Sequence, residues 1–183
     1  FLVGIPGQAQ RDLFRDLRGA RDAGAGHVSL YSLTPPAGTA LADAIDPEAR
    51  DELWLAGFER LEAQGYRNYE VANFALPGQE CLHNLRYWDL EPYLGVGPGA
   101  VSTLPGGGGQ VLRLYHPENL PAYLAGNPWG LRVEKITPKE FLFETLMLGF
   151  RLRNGIRQAR FVRRFGRPLP ELVPGLWRRW REL

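Results

Sequence analysis

A chain of 183 residues, 44% apolar and 23% charged, is long enough for one domain or one and a half with a sizeable core. Its net charge of +2 gives no global pull toward nucleic acid or a membrane surface, and no apolar run is long enough to span a bilayer. The single cysteine, Cys81, excludes an internal disulfide and a cluster held by several cysteines of this chain; it fits a reducing, cytoplasmic setting.

Phe1 to Ile5 is a short apolar run closed by Pro6-Gly7, as in a strand buried on both faces. An apolar strand at the very first residue suggests a piece of a longer protein. From Gln8 to Ala23, Leu13, Leu17 and Ala20 recur at helical spacing before Gly24 and Gly26. His27 to Leu33 returns to strand character and stops at Thr34-Pro35-Pro36. Asp46 is a natural N-cap, Pro47 suits the first helical turn, and Leu53, Trp54, Phe58 and Leu61 form the buried stripe of a second helix. Tyr66 to Phe74 reads as a third strand. Strand, helix, strand, helix, strand with long connections predicts a parallel sheet wrapped by helices, its chemistry at the carboxyl ends of the strands.

Beyond Val101 the pattern changes. Residues 104–109 form a glycine-rich turn, and Gln110 to Tyr115 reads as the returning strand of a hairpin. The run lacks the Lys-Ser/Thr of a nucleotide-binding loop. Thr137-Pro138-Lys139-Glu140 is a capping box with proline in the first turn, and the apolar FLFETLMLGF that follows predicts a core helix ended by Asn154-Gly155. The arginine-rich tail from Arg157 interleaves Phe161, Phe165, Leu169, Leu172, Leu176 and Trp177, the pattern of an amphipathic helical subdomain with its arginines in water.

The stretch Glu80 to Val101 concentrates the chemistry. It holds Cys81, His83, Asn84, Tyr87, Trp88 and the run Gly95-Val96-Gly97-Pro98-Gly99, a backbone suited to close approach. It follows the third strand, which places His83 on the functional rim. A neutral imidazole is a normal axial ligand for haem iron, and aromatic faces pack against a porphyrin. Cys81, two residues away, is the rival ligand. His27 and His116 receive no role; His116, before Pro117, is expected to be exposed. Glu70 is either a functional polar group or part of a structural ion pair.

At GIPGQ, HVSLYSLTPPAGT, GYRNYEVANFALPGQECLHNLRYW and YLGVGPGA the sequence resembles the HemW-type haem chaperones. These belong to the radical S-adenosylmethionine superfamily and are related to the oxygen-independent coproporphyrinogen III oxidases of HemN type. The likeness runs from Phe1 to about Ile156 and continues more weakly into the tail. His83 to Trp88 matches the HNxxYW motif associated with haem binding in HemW-like proteins.

The resemblance implies an α/β fold: the C-terminal half of a radical-SAM partial (β/α) barrel with parallel strands over residues 1–103. A mostly α-helical C-terminal domain would follow over residues 104–183. It implies that S-adenosylmethionine contacts Thr34 and Val101, and that haem is held by His83, Asn84, Tyr87 and Trp88, with His83 on the iron. The CxxxCxxC loop that carries the [4Fe–4S] cluster in the family has no counterpart here, so the chain alone is expected to lack radical activity and no catalytic residue is assigned. Function is then binding haem and passing it to an acceptor protein in the cytoplasm. The alternative is oxidative decarboxylation of coproporphyrinogen III. No nucleic-acid partner is expected, and a homodimer stays open.

Overall fold

The structure is a computed structural model that describes residues 1–107, 110–126 and 132–182. It divides into two compact units, Phe1–Leu82 and His83–Leu183.

The first unit is an α/β layer. Strand β1 (Leu2–Val3) leads into helix α1 (Gln10–Asp22), and β2 (His27–Ser29) and β3 (Tyr31–Ser32) form one extended segment interrupted at Leu30. A short α2 (Ala40–Asp43) precedes α3 (Pro47–Ala63), and β4 (Arg67–Asn68) and β5 (Asn73–Ala75) close the unit. Both long helices begin and run as the sequence predicts. Asp46 accepts from the Glu48 and Ala49 amides at the start of α3, which removes two of the unpaired donors of a helix N-terminus. Leu13 and Leu17 of α1 meet Leu61 of α3, Val3, Val28, Leu30, Tyr66 and Phe74 in one core, with Leu53, Trp54 and Phe58 packed against it. Trp54 Nε1 donates to the Leu30 carbonyl at 3.0 Å, so the large ring is buried with its one polar atom satisfied.

The all-parallel sheet expected from the sequence is corrected. β1 pairs with β3 in parallel, Leu2 opposite Tyr31, but β5 pairs antiparallel with both β2 and β4. Tyr66 to Phe74 is not one strand. It folds back on itself, so that Arg67 faces Ala75 and the Tyr69 amide donates to the Asn73 carbonyl at 3.1 Å. The side chains hold the turn: Asn68 Nδ2 donates to the Asn73 carbonyl at 3.2 Å, and Asn73 Nδ2 donates to the buried Glu70 carboxylate. A run of alternating residues gives the same period for one long strand and for two short ones, and here polar side chains decide.

The second unit combines helices with a three-stranded antiparallel sheet. Helix α4 (Leu82–Trp88) opens it; the sheet consists of β6 (Val101–Pro105), β7 (Val111–Tyr115) and β8 (Arg132–Ile136) in that order. The β6–β7 hairpin matches the sequence reading; residues 108–109 at its tip lie outside the described residues. β8 was not foreseen, so the mostly helical expectation gives way to a mixed unit. Helix α5 (Leu120–Ala125) bridges β7 and β8 in sequence, and α6 (Pro138–Gly149), α7 (Gln158–Phe165), α8 (Leu169–Leu172) and α9 (Pro174–Arg181) complete the chain. The capping box is present: the Glu140 amide donates to Thr137 Oγ1 while the Thr137 amide donates to Glu140. α6 ends at Gly149 rather than at Asn154. It is only half a core element, since Phe143, Met147 and Phe150 are exposed at helical spacing. No helix among the described residues is long and apolar enough to cross a membrane.

Candidate functional site

The motif HNLRYW is a helix, and this decides which of its side chains can act together. Residues four apart share a helix face whereas neighbours do not, so His83 and Tyr87 stand together while Asn84 and Trp88 form a second pair. His83 and Tyr87 are exposed. Their rings meet edge to face, 4.9 Å between centroids at 82°. Tyr93, from the loop after α4, extends the row with its ring 4.7 Å from Tyr87. Tyr93 is fixed in turn by a two-way bridge to β6, its amide donating to the Thr103 carbonyl at 2.9 Å and its carbonyl accepting from the Thr103 amide at 3.0 Å. The result is an exposed imidazole on a rigid aromatic row, with no hydrogen bond to its ring among the described residues. With no partner fixing the tautomer, either ring nitrogen can therefore be the one that offers its lone pair to an electrophile such as a metal ion carried by a ligand.

Trp88 is partly buried. It lines a small cavity of about 20 Å³ with Thr145, Gly149 and Phe161, and the Arg151 guanidinium lies 5.7 Å from its ring. That space holds about one water and no porphyrin. The end of α4 is locked in place. Leu90 adopts a left-handed conformation (φ 49°), which lets the Glu91 amide reach back to the Arg86 carbonyl at 2.9 Å. Arg164 of α7 donates to the Asp89 and Leu90 carbonyls at 2.7 and 3.3 Å, and Arg160 pairs with Asp89 at 2.6 Å. Burial lowers the pKa of Arg164, reinforced by the neighbouring Arg160 charge.

The remaining residues singled out by sequence belong to other elements. Cys81 is a free, partly buried thiol just before α4. Thr34 lies just past β3 in the first unit, exposed, its hydroxyl donating to the Ser32 carbonyl at 3.3 Å. Val101 opens β6 in the second unit. Between them, the glycine run earns its composition at Gly95: a Cβ there would lie 2.3 Å from the Val101 carbonyl oxygen. No group of three or more His, Cys, Asp or Glu side chains capable of holding a metal occurs among the described residues. With one cysteine in the chain, these residues do not fit an iron–sulfur cluster.

Comparisons with known proteins find likenesses in both sequence and fold. The HemN C-terminal domain family matches residues 136–178. The heme chaperone HemW of Bacillus subtilis is 29% identical over 96% of this chain and 48% of its own length. That of Mycobacterium tuberculosis is 37% identical over 87% of this chain and 43% of its own. The chain is similar to HemW proteins in sequence. It spans about half the length of the curated relatives it matches. A bovine relative, radical S-adenosyl methionine domain-containing protein 1, mitochondrial, is 31% identical over 85% of this chain and 34% of its own. The Escherichia coli coproporphyrinogen III oxidase HemN, described as a radical SAM enzyme, superposes with a TM-score of 0.67 over 94% of this chain and 44% of its own, at 15% identity; the fold is shared.

Within this chain the sequence pointed to His83 and Tyr87 and passed over Tyr93. The i, i+4 spacing of His83 and Tyr87 carried a signal for their pairing once the segment is taken as a helix; nothing in sequence marks Tyr93, which joins from a loop. His116 is corrected: it is 8% exposed, its amide tied to the Ala100 carbonyl at 2.9 Å and its ring edge-on to Tyr123 at 5.4 Å. His27 also has a place, its Nε2 2.9 Å from the Tyr69 hydroxyl.

Proposed function

We propose that this chain is the haem-contacting part of a HemW-type haem chaperone, a protein that takes up haem and passes it to an acceptor protein in the cytoplasm. The observation that carries the reading is the His83–Tyr87 pair on α4, extended by Tyr93 from the loop that follows: an exposed imidazole with no hydrogen bond to its ring among the described residues, inside the HNxxYW motif. Haem here is cargo. His83 supplies a neutral nitrogen to its iron, and Tyr87 and Tyr93 offer apolar ring surface beside it. A cargo ligand must also let go, and exposure suits that: one protein bond at the surface leaves the other side of the iron open to an acceptor's ligand. Trp88, which lines the small cavity with Thr145, Gly149 and Phe161, then acts by holding α4.

Other parts of the reading come from the resemblance. Thr34 and Val101 would contact S-adenosylmethionine, residues 1–103 would be barrel-derived, and the [4Fe–4S] cluster would rest on cysteines that this chain does not supply. The oxidase alternative has less support, because the likeness to the HemN structure is one of fold while two of the three sequence relatives described above are HemW proteins. Titration of the chain with ferric haem under reducing conditions, followed by gel filtration and haem quantification, tests the proposal. Saturable co-elution at a fixed stoichiometry is expected; haem that partitions without saturation contradicts it.

A further inference from the structure

The second unit carries a cluster of guanidiniums to which neither the motif nor the resemblance assigns a role. Arg160, Arg163 and Arg164 stand at i, i+3 and i+4 of α7, so all three share one helix face. Like charges at that spacing repel, and two carboxylates answer them: Arg160 pairs with Asp89 at 2.6 Å and with Glu91 at 3.2 Å. Glu91 is shared with Arg86 at 3.6 Å. Arg163 is exposed and has no ion pair or hydrogen bond among the described residues. Three guanidiniums against two carboxylates leave the cluster with excess positive charge.

The three arginines line an open space of about 420 Å³ with Glu91 and Pro92. Pro92 and Arg164 also border a second space of about 230 Å³, whose other walls are mainly apolar: Leu90, Leu104, Pro105, Val111 and Phe141. Strand pairing sets part of that wall, since Pro105 and Val111 are directly opposed in the β6–β7 ladder. An apolar cavity of about 150 Å³ already admits benzene, so this one has room for a substituted ring. Arg164 stands where the charge and the apolar surface meet. Its guanidinium carbon lies 5.1 Å from the centre of the Phe141 ring, and its Nη2 is engaged by the Asp89 and Leu90 carbonyls. Its Nε and Nη1 make no hydrogen bond among the described residues, and neither is sealed from solvent. Two donors of a half-buried guanidinium are thus open to an acceptor.

We infer that the groove over Pro92 and Arg164 is a binding site for an apolar carboxylate, its body against Phe141 and the Pro105–Val111 pair and its carboxylate on the Arg164 and Arg163 guanidiniums. A carboxylate accepts from guanidinium N–H groups in charge-assisted bonds that a neutral ligand cannot match. The apolar body fills space that the groove walls otherwise leave without contacts. Glu91 does not oppose the ligand as a free charge, because Arg160 and Arg86 already hold it. A free acid and a propionate on the edge of a porphyrin offer the same chemistry. Binding of the free acid stands or falls independently of iron ligation by His83.

The test uses the full chain with 3-phenylpropionate, 3-phenylpropan-1-ol and acetate, which carry ring and charge, ring alone and charge alone. Calorimetry gives the affinities. The Arg163 Nε–H signal in a ¹H–¹⁵N spectrum, identified by its absence in Arg163→Gln, reports the contact. Saturable binding of the acid that moves this signal is expected, about tenfold tighter than the alcohol, the worth of one charge-assisted hydrogen bond. Acetate, without the ring, should bind more weakly than the acid. Arg163→Gln removes an exposed charge with no described partner, so the fold should persist by circular dichroism. It should weaken the acid about threefold and leave the alcohol unchanged. Protoporphyrin IX and its dimethyl ester then name the source. Displacement of the acid by protoporphyrin IX and not by the ester assigns the groove to porphyrin propionates, and displacement by neither assigns it to a free acid. Equal affinity for acid and alcohol, acetate binding as tightly as the acid, an unmoved Arg163 signal, or displacement by the ester overturns the inference.

Discussion

Arg113 on β7 grips Glu144 on α6 in a two-pronged ion pair, Nη2 to Oε2 at 2.8 Å and Nη1 to Oε1 at 3.0 Å. Both side chains are about one-fifth exposed, so the pair is neither a loose surface bridge nor a fully desolvated one. The hydrogen bond to Glu144 is the main reason the guanidinium pKa rises above its already high value. Glu144→Ala leaves Arg113 partly buried without its carboxylate and should cost about 2 kcal/mol in urea unfolding. A loss indistinguishable from zero would mean that water screens the pair.

Two glycines separate backbone crowding from side-chain crowding. At Gly95 a Cβ would meet the Val101 carbonyl oxygen at 2.3 Å, and a strand carbonyl cannot step aside. At Gly57, in the middle of α3, it would meet the methyl ends of Leu13 and Leu30 at 3.0 and 3.1 Å. Those tips can shift, and alanine recovers about 1 kcal/mol of helix propensity. Gly95→Ala should therefore cost about 2–3 kcal/mol and Gly57→Ala close to nothing, by chemical denaturation of each. The reverse order would contradict the packing described for the two sites.

His27 gives the first unit a pH dependence. Burial lowers its pKa from the ordinary 6.5, with the Glu70 charge acting the other way. A base whose pKa is depressed by folding binds more protons when unfolded, so stability rises with pH through that region. Acidification from about pH 7 to pH 5.5 should weaken the unit, and His27→Gln should flatten that slope. A slope unchanged in the variant would assign the effect to another group.

Much of this was legible before any coordinates. Asp46-Pro47 and Thr137-Pro138-Lys139-Glu140 fix helix starts through local hydrogen bonds, which sequence records directly. Leu13, Leu17 and Leu61 fell where helical periodicity put them. The turn at Tyr69 to Asn73 was not legible, because it depends on Asn73 finding Glu70 and on Asn68 finding the Asn73 carbonyl. Nor was the burial of His116, which is set by a loop 20 residues earlier in the chain; a histidine before proline carries no mark of it. In the motif, composition singled out the segment and grouped His83 with Trp88, but nothing in it marked the segment as a helix, whose twist separates the two.

The edge of β1 is the next test. Among the described residues β1 pairs with β3 alone, and Phe1, Leu2, Ile5 and Tyr31 are exposed around it. An open apolar strand edge invites a second strand, so the chain should self-associate as concentration rises. Leu2→Lys places a charge on that edge and should shift sedimentation toward monomer. Association that ignores the substitution would move the contact elsewhere, for example to the exposed Phe143–Met147–Phe150 stripe of α6.

The central claim rests on the His83 imidazole, and electron paramagnetic resonance of the ferric haem complex reads the axial ligand directly. The account predicts a nitrogen-ligated signal in the unaltered chain that persists in His27→Gln, His116→Phe and Cys81→Ser and disappears in His83→Ala. Tyr87→Ala should weaken haem binding while leaving that signal in place, since it removes ring contact and spares the iron bond. An unchanged signal and affinity in His83→Ala, or loss of the signal in Cys81→Ser, would contradict the assignment.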